Sequence, residues 1–107
     1  MADHIVVFMT APTADVAARI GRAVVDEGLA ACATIVPGAR SIYRWEGKTC
    51  DDAEVLCVLK SRADRFDELR ARIQGLHPYE VPEILAVPVA AGSEPYLRWV
   101  EGACRRG

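Results

Sequence analysis

Apolar residues along the chain switch between two spacings, and the switches mark its elements. In "HIVVFMT" (4–10) they run consecutively and are rich in β-branched types, which predicts a buried strand. From Thr13 the spacing turns helical: Val16, Ile20 and Val24 share one stripe, Thr13 is placed to cap it and Gly28 to end it. Extended spacing returns in "CATIVPGARSIYRWEG" (32–47), turns at Gly47-Lys48 and comes back as "AEVLCVLK" (53–60). Ser61 and Asp64 have capping-box spacing, and Phe66, Leu69, Ile73 and Leu76 then recur three and four apart, predicting a second helix. Pro78 disfavours helical geometry at His77, so that helix closes at Gly75 to Leu76. "EILAVPV" (83–89) reads as a fourth strand. Its Pro88 has no N–H for a ladder, which predicts a sheet edge. In "SEPYLRWVEGAC" (93–104), Ser93 as cap and Pro95 in the first turn predict a short last helix with Tyr96, Leu97, Trp99 and Val100 as its apolar members.

The order βαββαβ plus a helix is the α+β, ferredoxin-like pattern, and the whole chain, 1–107, reads as one domain. Right-handed crossovers put both main helices on one face of the sheet, with the first and third strands central and the second and fourth at the edges. Yet both central strands are apolar on both faces: Ile5, Val7 and Met9 against Val6 and Phe8, and Val55, Cys57 and Leu59 against Leu56 and Val58. A monomer would expose more apolar sheet than soluble monomers tolerate, so another copy of the chain is expected to cover it. The second strand, at ~3.3 Å per residue, would reach ~50 Å in a domain only about 35 Å across. Pro37-Gly38 is placed to bend it, and a projecting hairpin tip with Tyr43, Trp45 and Glu46 is expected to meet a partner.

Composition narrows the function classes. Hydrophobic residues make up 51% and charged ones 26% of 107, which fits one folded domain. The net charge is −2 and no basic stripe exists, Arg105-Arg106 being too short, so no nucleic-acid partner is expected. No apolar run approaches the ~20 residues of a membrane span. No secretory leader is seen, and a cytoplasmic location follows. Cys32, Cys50, Cys57 and Cys104 form no CxxC pair and are read as free thiols, with Cys32 and Cys57 as small buried hydrophobes.

The candidate chemistry gathers in "GLHPYEVPEIL" (75–85). His77 reads as a metal ligand or proton carrier, or as a helix-terminal ring bonded to a carbonyl near the helix C-terminus. Glu80 reads as a solvated carboxylate. Glu83, between Pro82 and Ile84, has a better claim on a cleft, beside Tyr79. Pro78 and Pro82 stiffen the connection first, and any chemistry is a second use. A nucleophile pair of Cys32 and His77 needs an oriented third group and a favourable turn, and Cys32 instead sits among Ala31, Ala33 and Ile35. The chain therefore reads as non-enzymatic. Tyr43 and Trp45 alternate onto one strand face, to stack a ligand or to anchor the hairpin, while Lys60 and Glu54 are candidates for lining an intersubunit cleft.

Four stretches together, "TAP" (10–12), "LAACATIVPGARSIYRWEGK" (29–48), "LKS" (59–61) and "HPYEVPEIL" (77–85), resemble the CutA family of divalent-cation tolerance proteins. The resemblance runs nearly end to end. It implies a tight homotrimer whose sheets pack together and whose long hairpin reaches a neighbour. It also implies binding of copper or another divalent metal, with no organic cofactor. The family's copper-ligating cysteine position falls on Met9, and its two histidine positions fall on Leu76 and His77. Weak, copper-preferring binding is expected, through His77 with Met9, Cys32, Glu83 or a neighbouring subunit. The rival reading is a sensor like the trimeric PII signalling proteins, with a small effector in intersubunit clefts; no Gly-rich phosphate loop supports a nucleotide there. An enzyme acting through Cys32 or His77 is a third.

Overall fold

The computed structural model describes residues 3–104, so Arg105-Arg106 lies outside the described residues. The elements are β1 (His4–Ala11), α1 (Ala14–Asp26), β2 (Cys32–Trp45), β3 (Lys48–Arg62), a 3₁₀ turn (Ala63–Arg65), α2 (Phe66–Leu76), β4 (Ile84–Pro88) and α3 (Glu94–Ala103). The sheet runs β2-β3-β1-β4 and is antiparallel throughout, so β1 and β3 are central.

Strict alternation of buried and half-buried positions along β1 sets the two faces apart. Ile5, Val7, Met9 and Ala11 point into the core with Val55, Cys57 and Leu59 of β3. Ala17, Ile20 and Val24 of α1 and Leu69 and Ile73 of α2 close over them. The other face carries Val6, Phe8, Leu56 and Val58, half-buried, with Val36, Leu85 and Val87 exposed at its two edges. Neither α1 nor α2 covers it.

Local chemistry explains most boundaries. The Thr13 hydroxyl accepts from the Val16 N–H at 3.1 Å, capping α1, and Gly28 leaves the helix at φ 74°. The β2–β3 register slips between Val36 and Ala39, where Pro37 has no donor and Gly38 sits at φ 88°. The hairpin closes one residue earlier than expected: Trp45 pairs with Lys48, and Glu46 and Gly47 (φ 49° and 78°) form the two-residue turn whose twist suits antiparallel strands. β3 is longer than the apolar run "AEVLCVLK", because its first residues pair with β2 through backbone bonds that polar side chains do not oppose. β3 has 15 residues, and the molecule measures 43 × 26 × 23 Å.

Two predicted caps are not formed. Ser61 lies inside β3, and its hydroxyl donates to the Leu29 carbonyl at 2.6 Å; α2 starts after the 3₁₀ turn with no side-chain cap. Ser93 holds the N-cap position of α3 without a cap bond.

Gly21, buried on α1, faces β2 closely enough that an added Cβ would stand 2.9 Å from the Ala33 Cβ. Alanine improves helix propensity at an open position, but here the overlap dominates. Gly21→Ala is expected to cost about 1–3 kcal/mol, read as a lower urea midpoint with an unchanged slope.

Candidate functional site

The connection from α2 to β4 is held by a chain of hydrogen bonds that starts at its histidine. His77 follows the last helical residue, with its N–H on the Ile73 carbonyl at 2.8 Å and an extended backbone imposed by Pro78. His77 is 8% exposed. Its Nδ1 accepts the Tyr79 N–H at 3.1 Å, which fixes the neutral tautomer, and Nε2–H therefore donates to the Thr10 carbonyl at 2.7 Å. The carbonyl it meets is at the end of β1 and not at the end of the helix, as the sequence had suggested. The imidazole also packs on the Tyr79 ring, centroids 4.7 Å apart. The Tyr79 hydroxyl donates to Glu54 Oε2 of β3 at 2.7 Å.

This arch and the β2–β3 hairpin enclose an open cavity of about 750 Å³. Its walls include the aromatic rings of Tyr43, Trp45 and Tyr79 and the carboxylates of Glu54, Glu80 and Glu83. Glu54 is only 8% exposed and forms no ion pair among the described residues. Arg40, the one cationic wall residue among the described residues, is already engaged: Nε and a terminal nitrogen both meet Asp51 at 2.7 Å, and each group holds the other in its charged form. Lys60 is elsewhere. It pairs across strands with Cys32 and Val6, on the sheet face away from α1 and α2, and its Nζ donates to Thr34 at 3.0 Å. Thr10 and Arg40 border the cavity and were not singled out from the sequence, because nothing local marks a carbonyl or an arginine that a distant segment will approach.

The phenols record this environment. Burial, then the Glu54 carboxylate, push Tyr79 up to about 12. The hydrogen bond to Asp52 raises Tyr43, and burial followed by the Cys32 thiol raises Tyr96. All three tyrosines are therefore expected to ionise above the ordinary phenol value of about 10, a result that absorbance titration checks. A raised phenol favours folding while it stays neutral. Tyr79's share of stability is thus present below about 10 and lost as pH rises through about 12, and Tyr79→Phe should flatten that part of the alkaline stability curve.

The expected metal ligands are not brought together within one chain. Met9 is fully buried on the helix-covered face, packed with Val7, Ile20 and Cys57. Cys32 lies on the opposite face and is half-buried, not sealed in the core as expected; its Sγ is 3.7 Å from the Tyr96 hydroxyl. Leu76 packs against the core, and both ring nitrogens of His77 are already bonded. Among the described residues no group of three His, Cys, Asp or Glu is gathered for an ion. Cys32 and His77 likewise meet different partners, so they do not form a nucleophile and base pair. All four cysteines are free thiols, and burial pushes Cys57 up to about 11.

A family model described as "CutA1 divalent ion tolerance protein" matches residues 5–103. The chain is 48% identical over 95 residues to the divalent-cation tolerance protein CutA of Thermus thermophilus, covering 89% of this chain and 92% of that one. Among solved structures, CutA1 of Oryza sativa superposes with a TM-score of 0.94 at 39% identity, covering 99% and 97% of the two chains. CutA of Xylella fastidiosa superposes with a TM-score of 0.93 at 39% identity, covering 96% and 99%.

Proposed function

We propose, because the chain belongs to the CutA1 divalent ion tolerance family, that it serves the response to divalent metal ions as a cytoplasmic homotrimer that binds ligands and catalyses no reaction. The observation that carries this reading is the cavity between the hairpin and the 77–83 connection, walled by aromatic rings and carboxylates. Its size lies within the range of about 300–1,000 Å³ typical of small-molecule sites. This favours the effector-sensing reading over a preformed metal centre, since His77, Met9 and Cys32 have other work within the chain. The trimer is supported by the uncovered apolar sheet face. A reducing compartment suits the four free thiols.

Copper or another divalent ion is held weakly, by the solvent-facing carboxylates of Glu80 and Glu83 and not by His77. Calorimetric titration with Cu(II) at neutral pH is expected to give weak binding that His77→Ala leaves unchanged and a Glu80→Gln, Glu83→Gln double variant reduces. Loss of copper binding in His77→Ala would overturn this assignment.

A further inference from the structure

Burying an ionised carboxylate is costly unless a cation or several donors compensate it. Glu54 is buried already in the single chain, where Oε2 accepts a hydrogen bond from the Tyr79 phenol. No arginine, lysine or histidine pairs with it among the described residues, and Arg40 on the same cavity wall is committed to Asp51. The single chain therefore leaves this site one cation short. A second copy covering the apolar sheet face brings its own side chains to it.

That face carries a complementary charge. Glu54, Leu56, Val58 and Lys60 alternate onto the side of β3 that neither α1 nor α2 covers, so an apolar strip has a carboxylate at one end and an ammonium at the other. Lys60 is half-buried, donates to the Thr34 hydroxyl and forms no ion pair among the described residues. A sheet laid over Leu56 and Val58 strips water from Lys60 too, which is unfavourable unless a carboxylate meets it. Lys48 shares the parity but lies exposed beside the hairpin turn, with no burial to compensate. Within one chain Glu54 and Lys60 do not meet, because six residues of strand hold them ~20 Å apart. Between copies, one contact compensates both.

We propose that Lys60 of a second copy enters the cavity and pairs with Glu54, so that the site is complete only in the assembly. The inference rests on the homotrimer reading and deepens it: repeated head to tail, the same contact closes a ring. Tyr79 holds the Glu54 carboxylate and is itself fixed by His77, so the arch is a positioning device for this contact. The cavity is then a cleft between copies, and a ligand in it is bound by two chains together.

The test is a double-mutant cycle on the full chain, read as the urea midpoint at which light scattering shows the assembly dissociating. Glu54→Gln and Lys60→Met remove the charges and keep most of the side-chain bulk. Each is expected to weaken the assembly, by about thirtyfold or more per contact. The double variant is expected to lose less than the two losses added, because neither charge is left buried alone. Substitutions ~20 Å apart in one chain add, so that shortfall reports a contact between copies. Lys48→Met should leave the midpoint unchanged. Single variants without effect, additive losses, or an equal loss in Lys48→Met would refute the pair and leave the trimer standing. A wild type that scatters as a monomer without urea would refute both. Should a variant fail to fold, carbodiimide treatment of the wild type decides, since it joins a carboxylate and an amine already in contact. An amide linking the Glu54 and Lys60 peptides of two chains is expected, and an intact trimer without it would overturn the proposal.

Discussion

Val58→Asp is expected to yield a folded chain of about one third the wild-type mass, whereas Val7→Asp is expected not to fold. The two valines sit in β3 and β1 and look alike in sequence, but Val7 is fully buried under the helices and Val58 faces away from them beside Phe8 and Thr34. A charge at Val7 has no partner in the core. An uncompensated buried charge costs about 3–5 kcal/mol, which approaches the whole stability of a small domain, about 5–15 kcal/mol. At Val58 the charge is solvated in the single chain and is unfavourable only where another sheet covers it. Each apolar side chain fully buried by such a cover stabilises the assembly by about 1.5–3 kcal/mol, and the face offers Val6, Phe8, Leu56 and Val58 with Leu85 and Val87 beside them. Light scattering with circular dichroism reads both variants. A wild type that scatters as a monomer, or a Val58→Asp protein of unchanged mass, would remove the case for a trimer built on this face.

His77→Ala should cost about 2–6 kcal/mol, since it orphans two part-buried backbone groups at about 1–3 kcal/mol each: the Thr10 carbonyl and the Tyr79 N–H. It should also release the Tyr79 ring, whose phenol then falls from about 12 back toward the ordinary value. Urea denaturation and phenol titration of the same variant read the two effects. If His77 merely ended the helix, the loss would stay under about 1 kcal/mol and Tyr79 would titrate unchanged.

The candidate site was partly legible because its stiffness is local. Pro78 ends α2 and sets the His77 backbone, and the acids and aromatics that now face the cavity stand in plain view along the chain. Glu54, Tyr43, Trp45, Tyr79 and Glu83 were all named from sequence, and all five line one cavity. Which of them touch was hidden. The Tyr79–Glu54 bond spans 25 residues and the His77–Thr10 bond 67, and no short-range pattern encodes either. Lys60 was misplaced for a simpler reason: it shares the strand parity of Glu54 but pairs with Cys32 at the far end of β3, six residues or ~20 Å along the strand from the cavity.

By itself the sequence determined what short-range physics controls. Periodicity separated strands from helices, Thr13 capped α1, Pro37-Gly38 broke the register, and Pro88 kept β4 at the edge. Tertiary structure alone decided whatever depends on which face of a strand turns inward. β1 and β3 are apolar on both faces, so alternation says that Val6 and Val7 point oppositely but not which one the helices cover. The answer buried Met9 away from any ligand, left Cys32 beside Tyr96, and drew the Ser61 hydroxyl to Leu29 instead of a helix cap. A hydrogen bond to a distant carbonyl inside the core outcompetes a cap exposed to water, because the buried carbonyl has no solvent to replace it.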